Sequence, residues 1–89
     1  MDVSMRFEKG LETFFSTTGF IDLLPLALKL ADQAGYGEDE IVEAICKVAD
    51  KYRVYPPRSN RTAWFAKVFQ EKLGEVRADI LKRNYLRGM

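Results

Sequence analysis

Apolar positions along the chain recur with helical spacing in four stretches. Val3, Phe7, Leu11 and Phe14 follow one another at intervals of four, four and three, which puts them on one face of a helix over about Val3–Ser16. Gly10 lies beside that stripe and would let a neighbouring helix come close. Ser16-Thr17-Thr18-Gly19 breaks the pattern. Asp22 then has the place of an N-cap before Leu23-Leu24-Pro25, and Ile21 with Leu26 has the spacing of a hydrophobic staple. The second helix should run to Ala34 and stop at a left-handed Gly35. Its leucines and alanines cover so much of its circumference that it should be the most buried of the set.

The third helix, about Glu38–Tyr52, carries Ile41, Ala44, Ile45, Val48 and Tyr52 on one face. Glu38, Asp39 and Glu40 in its first turn and Lys47, Lys51 and Arg53 near its end suit the helix dipole. Cys46 falls at the edge of the stripe as a packed small residue. Val54-Tyr55-Pro56-Pro57-Arg58-Ser59-Asn60 cannot continue a helix, because paired prolines lack donors and restrict the residue before them. Ser59 or Asn60 then caps a fourth helix to roughly Tyr85, about 38 Å long at 1.5 Å per residue. The fold this pattern predicts is all-α: a compact bundle of about four helices, one domain over residues 1–89, ending in a long helix. Its expected core is Phe7, Phe14, Leu26, Leu30, Ile45, Val48, Phe65, Val68 and Phe69.

The last helix has two apolar faces. Trp64, Phe65, Val68, Phe69, Leu73, Val76 and Ile80 form a wide stripe for packing on the other helices, with Lys72 set into its middle, where it should snorkel to water or meet a carboxylate. Gly74, Ala78, Leu81 and Tyr85, spaced four, three and four apart, form a second, narrower seam on the opposite side. A helix with a leftover apolar seam points to a partner, either another protein or a second copy of the chain.

Charge adds an asymmetry that the net +1 conceals. Residues 1–52 carry ten acids and five bases, a net −5, whereas residues 53–89 carry nine bases and three acids, a net +6. Such polarity suits either acidic and basic surfaces that meet in an assembly or a nucleic-acid face. No apolar run approaches the roughly 20 residues of a membrane span, no signal-peptide pattern precedes the first helix, and Cys46 is the lone cysteine. The expectation is a cytoplasmic protein of bacterial style with no membrane association.

Catalytic patterns are not found. There is no histidine, the commonest general base and metal ligand, and a single cysteine cannot build a thiolate zinc site. Gly35-Tyr36-Gly37 lacks the third glycine and the preceding strand of a phosphate loop, and the acids of the third helix lack calcium-loop spacing. No active site, cofactor or metal is expected. The basic connector carries the alternative function: Arg53, Tyr55, Arg58, Arg61 and Lys67 combine guanidinium groups, an aromatic ring and a helix N-terminus, a set that binds phosphates and stacks on unpaired bases.

The helix Asp39-Glu40-Ile41-Val42-Glu43-Ala44-Ile45, the basic connector and the following Trp64-Phe65-Ala66-Lys67-Val68 resemble in layout the DnaD-type helical domain of bacterial replication-restart proteins, over Glu38–Leu73. That resemblance implies a helical fold, DNA binding and self-association. The family's aromatic–isoleucine–tryptophan order is not reproduced here, since Trp64 comes first, and no site residues are carried over. From the residues themselves, the leading expectation is a small protein-interaction or self-association module acting through Gly74, Ala78, Leu81 and Tyr85, with nucleic-acid binding through the connector as the alternative.

Overall fold

The structure is a computed structural model that describes residues 3–87 and, within them, the side chains of residues 10–83. Among the described residues there are four α-helices, α1 (Val3–Thr18), α2 (Leu24–Ala34), α3 (Glu38–Val54) and α4 (Arg61–Arg87), with one 3-10 turn at Ile21–Leu23 between the first two. It is an all-α bundle with a long C-terminal helix; α4, at 27 residues, is about 40 Å long.

α3 and α4 form the principal interface, and α1 and α2 close over it. The apolar spacing read above explains this pairing. α3 contributes Ile41, Ala44, Ile45 and Val48, and α4 contributes Phe65, Val68, Phe69, Leu73 and Val76, all buried. Phe65 and Phe69 lie one turn apart with near-parallel rings, 5.3 Å between centroids, and Phe15 meets both at 6.5 and 6.4 Å.

Two assignments on α1 and α2 change. Phe14 was expected inside, but it is 41% exposed while its neighbour Phe15 is fully buried. Adjacent residues point about 100° apart on a helix, and the Phe65–Phe69 pair selects the Leu11–Phe15 face. α2 does not bury Leu26 and Leu30 fully either, although both were expected in the core. It inserts the small Ala27 and Ala31 at full burial with Leu24, while Leu26, Leu28 and Leu30 only lean on the core from its edge. Phe7 lies outside the described side chains.

The start of α2 also departs from the expected cap. Asp22 sits inside the 3-10 turn and makes no capping bond, and Leu23 precedes the helix without a side-chain cap. Pro25 occupies the first turn as expected. With Leu23 at the cap position, Ile21 and Leu26 are out of register for a staple, and Ile21 is exposed. What engages Asp22 is the Arg61 guanidinium, 2.7 Å away.

α1 and α2 end in the same way. Gly19 and Gly35 both have positive φ (85° and 76°). In each, the glycine N–H bonds three residues back and the next N–H five residues back: Gly19 to Ser16 and Phe20 to Phe15, Gly35 to Asp32 and Tyr36 to Ala31. This is the Schellman closure, which needs a left-handed residue at the glycine position. Thr18 Oγ1 adds a bond to the Phe14 carbonyl at 2.9 Å.

Each closure is then held by an arginine of α4. Arg61 donates to the Gly19 carbonyl and to Asp22, with its guanidinium 4.8 Å from the Phe20 ring centroid. Arg77 donates to the Gly35 carbonyl at 2.7 Å and to Glu40 at 2.9 Å, and stacks 3.9 Å from the Tyr36 centroid. Both place a cation against the negative end of a helix, where the dipole favours it. Both stack it on the aromatic ring directly after the glycine.

α3 begins at Gly37, whose N–H donates to Glu40 Oε1 at 2.8 Å, so Glu40 serves the helix start and the Arg77 contact together. α4 begins with Asn60, whose Oδ1 accepts from the Ala63 N–H at 2.9 Å, which settles the expected cap on Asn60. Lys72 meets Glu75 at 2.9 Å and Glu71 at 3.6 Å, one of the two outcomes anticipated for a lysine inside an apolar stripe.

Candidate interaction surfaces

Opposite its buried stripe, α4 turns Gly74, Ala78 and Leu81 to solvent. Leu81 is 62% exposed, among the most exposed large apolar side chains described. A methyl group added at Gly74 would meet no atom within 4 Å, so the glycine here leaves open space on the outer surface and serves no internal packing. Tyr85 lies outside the described side chains, although the helical backbone continues past it to Arg87.

The inner face stays attached further than the apolar stripe suggested. Ile80 packs partly against the core, and Arg83 lies 3.8 Å from Glu43 of α3. Beside Leu81, the residues Gly37, Glu38, Asp39, Glu40, Arg77 and Ile80 enclose an open hollow of about 500 Å³. Its acidic rim belongs to the first turn of α3, and Ile80 and Leu81 give it an apolar side. Here the Arg77 guanidinium, hydrogen-bonded to Glu40, holds the Glu40 carboxyl below its ordinary range, with the Gly37 N–H adding to the effect. Glu40 side-chain exposure is only 16%, so its charge is committed to the fold.

The connector residues divide. Arg53, Tyr55 and Arg58 are exposed, as is Lys67 a little further on. None of these three bases makes an ion pair among the described residues. Arg61 is different, because its donors are already given to Asp22 and the Gly19 carbonyl. Tyr52 is partly exposed but packs edge-on against Phe20 and Trp64 at 5.5 and 5.7 Å. A second open hollow of about 400 Å³, between Lys47, Asp50, Lys51, Val54, Tyr55 and Lys72, adjoins this end. Its lysines are not all free cations, since Lys51 meets Glu71 at 3.3 Å. That contact lowers the Glu71 carboxyl, and the hydrogen bond to Glu75 raises Lys72.

Cys46 is exposed and not packed as expected. The interior face of α3 is filled by Ala44, Ile45 and Val48, which leaves position 46 on the outside. Partial desolvation, then the nearby Asp50 and Glu43, raise the thiol above its ordinary value, which disfavours the nucleophilic thiolate. The described residues contain no group of three or more His, Cys, Asp or Glu placed to hold a metal ion. No helix among them is long and apolar enough to cross a membrane.

Sequence reasoning gave Arg77, Tyr36 and Glu40 no joint role. A signal for them does exist: Gly-aromatic pairs at 19–20 and 35–36 each follow a helix, and the last helix carries Arg61 and Arg77. Set against protein-family models, curated proteins and solved structures, the chain finds no match in any of the three.

Proposed function

We propose that this protein is a small interaction module that docks another protein surface on the outward face of α4, around Gly74, Ala78 and Leu81, with position 85 continuing the same face. The observation that carries this reading is Leu81: a large apolar side chain 62% exposed, in helical register with two small exposed residues and facing away from the core. Small residues permit close backbone approach and a neighbouring large one supplies apolar area to bury. The module has no active site of its own, needs no cofactor, and works in a reducing, cytoplasmic compartment of bacterial type. A photo-crosslinking amino acid at position 81, in the cells that make the protein, should capture a protein adduct, whereas the same group at exposed position 29 on α2 should not. No adduct from position 81 would sink the reading.

A second reading rests on the exposed Arg53, Tyr55, Arg58 and Lys67, and the resemblance of the sequence to DnaD-type domains would be in keeping with it. It is an accessory nucleic-acid contact through phosphates, in which Arg61 helps only by fixing the start of α4. Binding of this kind weakens steeply with salt. Failure to retain single- or double-stranded DNA or RNA at about 50 mM salt removes it.

A further inference from the structure

We infer that the partner on the outer face of α4 is a second copy of the chain, paired antiparallel about a two-fold axis between Asp79 and Ile80. This inference rests on the docking reading above and adds occupant, direction and register to it. The seam is its own complement. Under that axis residue 78 faces residue 81 of the other copy, and residue 74 faces residue 85, so every small position meets a large one. Leu81 would cover the exposed Ala78 of its neighbour, and the open space over Gly74 lies opposite position 85 in register. No parallel pairing in register does this, because it sets small against small and large against large.

Charge selects the same arrangement. At 100° per residue, Glu75 and Lys82 lie on one flank of the seam. In a two-fold antiparallel pair each flank meets the same flank of the partner. The axis that matches 78 with 81 brings Lys82 to within about 3 Å, measured along the helices, of the other copy's Glu75. The pairing occurs twice by symmetry. Lys82 is exposed and makes no ion pair among the described residues, and Glu75, also exposed, is held within its own chain by Lys72 alone. The opposite flank carries Arg77, already engaged by Glu40 across the α3 interface, so it adds no bare repulsive charge.

Sedimentation equilibrium from micromolar to millimolar loading tests the inference, with circular dichroism on every variant to verify an unchanged helix content. The wild type should approach twice its 10.2 kDa mass, and Leu81→Glu should sediment as a monomer. Lys82→Glu and Glu75→Lys should each weaken the dimer about tenfold, and the double exchange E75K/K82E should restore it. A wild type that stays monomeric at millimolar loading overturns the second copy. If position 81 nevertheless crosslinks to a protein of different mass, the docking reading stands with another occupant. A dimer that Leu81→Glu dissolves but the charge exchange does not restore overturns the antiparallel register. A dimer indifferent to Leu81→Glu overturns the seam itself.

Discussion

The Arg61 and Arg77 contacts are built from the same parts and differ in depth. Each has a left-handed glycine, an aromatic residue after it, a carboxylate close by in the chain and an arginine from α4. At Arg61 the carboxylate is Asp22, 61% exposed and part of a short 3-10 turn. At Arg77 it is Glu40, 16% exposed and also the partner of the α3 N-terminal N–H. The first therefore ties a loop to a helix, whereas the second ties three helices at one point: the end of α2, the start of α3 and the middle of α4. The difference teaches that a guanidinium is worth more to a fold when its acceptor is committed to a second task and screened from water.

The largest effect that should separate the two ends is in the core beside them. Phe65→Ala, at the aromatic end near Phe20 and Phe15, should cost about 3–5 kcal/mol in denaturant unfolding, and Val76→Ala, at the Arg77 end, clearly less. If Val76→Ala costs as much, the aromatic end is not the stronger half. Next come the glycines. Gly19→Ala and Gly35→Ala should each cost about 1–2 kcal/mol from the left-handed backbone alone, since a methyl group meets no atom at either site. Unequal costs would show that the two closures are not equivalent.

Arg77→Ala should lower the melting temperature more than Arg61→Ala, and the size of its effect should depend on pH. The Glu40 carboxyl is held below its ordinary value of 4.5 in the folded state. Its contribution is therefore complete above that value and fades as pH falls through the lower folded one. The gap between wild type and Arg77→Ala should close in acid over that window. A gap that persists in strong acid would mean that Arg77 acts through the Tyr36 ring and the Gly35 carbonyl rather than through Glu40. Smallest of all should be the difference between Arg61→Lys and Arg61→Ala. Lysine keeps a charge near Asp22 but loses the fork and the stacking on Phe20, so in thermal melts it should recover only part of the loss at low salt and less at high salt.

Helix number, order and the long last helix were legible because periodicity is a local property, and the αL end at Gly35 and the Asn60 cap follow from chemistry within a few residues. The readings that failed depended on partners far along the chain. Asp22 has every local mark of a cap, yet Arg61, 39 positions away, engages it. Phe14 and Phe15 are equally apolar, and only the position of Phe65 and Phe69 decides which turns inward. Cys46 sits at the margin of its stripe, where a small rotation of α3 changes its exposure. Of the candidate surfaces, the solvent-facing places of Gly74, Ala78 and Leu81 could be read from spacing, since a helix face that is not needed for one core must point away from it. The engagement of Arg61 could not be read that way, because a guanidinium bound to a backbone carbonyl looks, in one dimension, like a guanidinium in water.

The concentration of Phe65, Val68, Phe69, Leu73 and Val76 on α4, together with both arginines, has a consequence for synthesis. A nascent chain that has emerged only as far as the connector carries Phe15, Phe20, Ile45 and Val48 without the α4 face that completes their burial. Helices one to three would therefore leave the ribosome as sticky, unsealed pieces, and the domain would lock only when its final helix clears the exit tunnel. Ribosome-bound truncations ending before α4 should be the ones that recruit holdase chaperones.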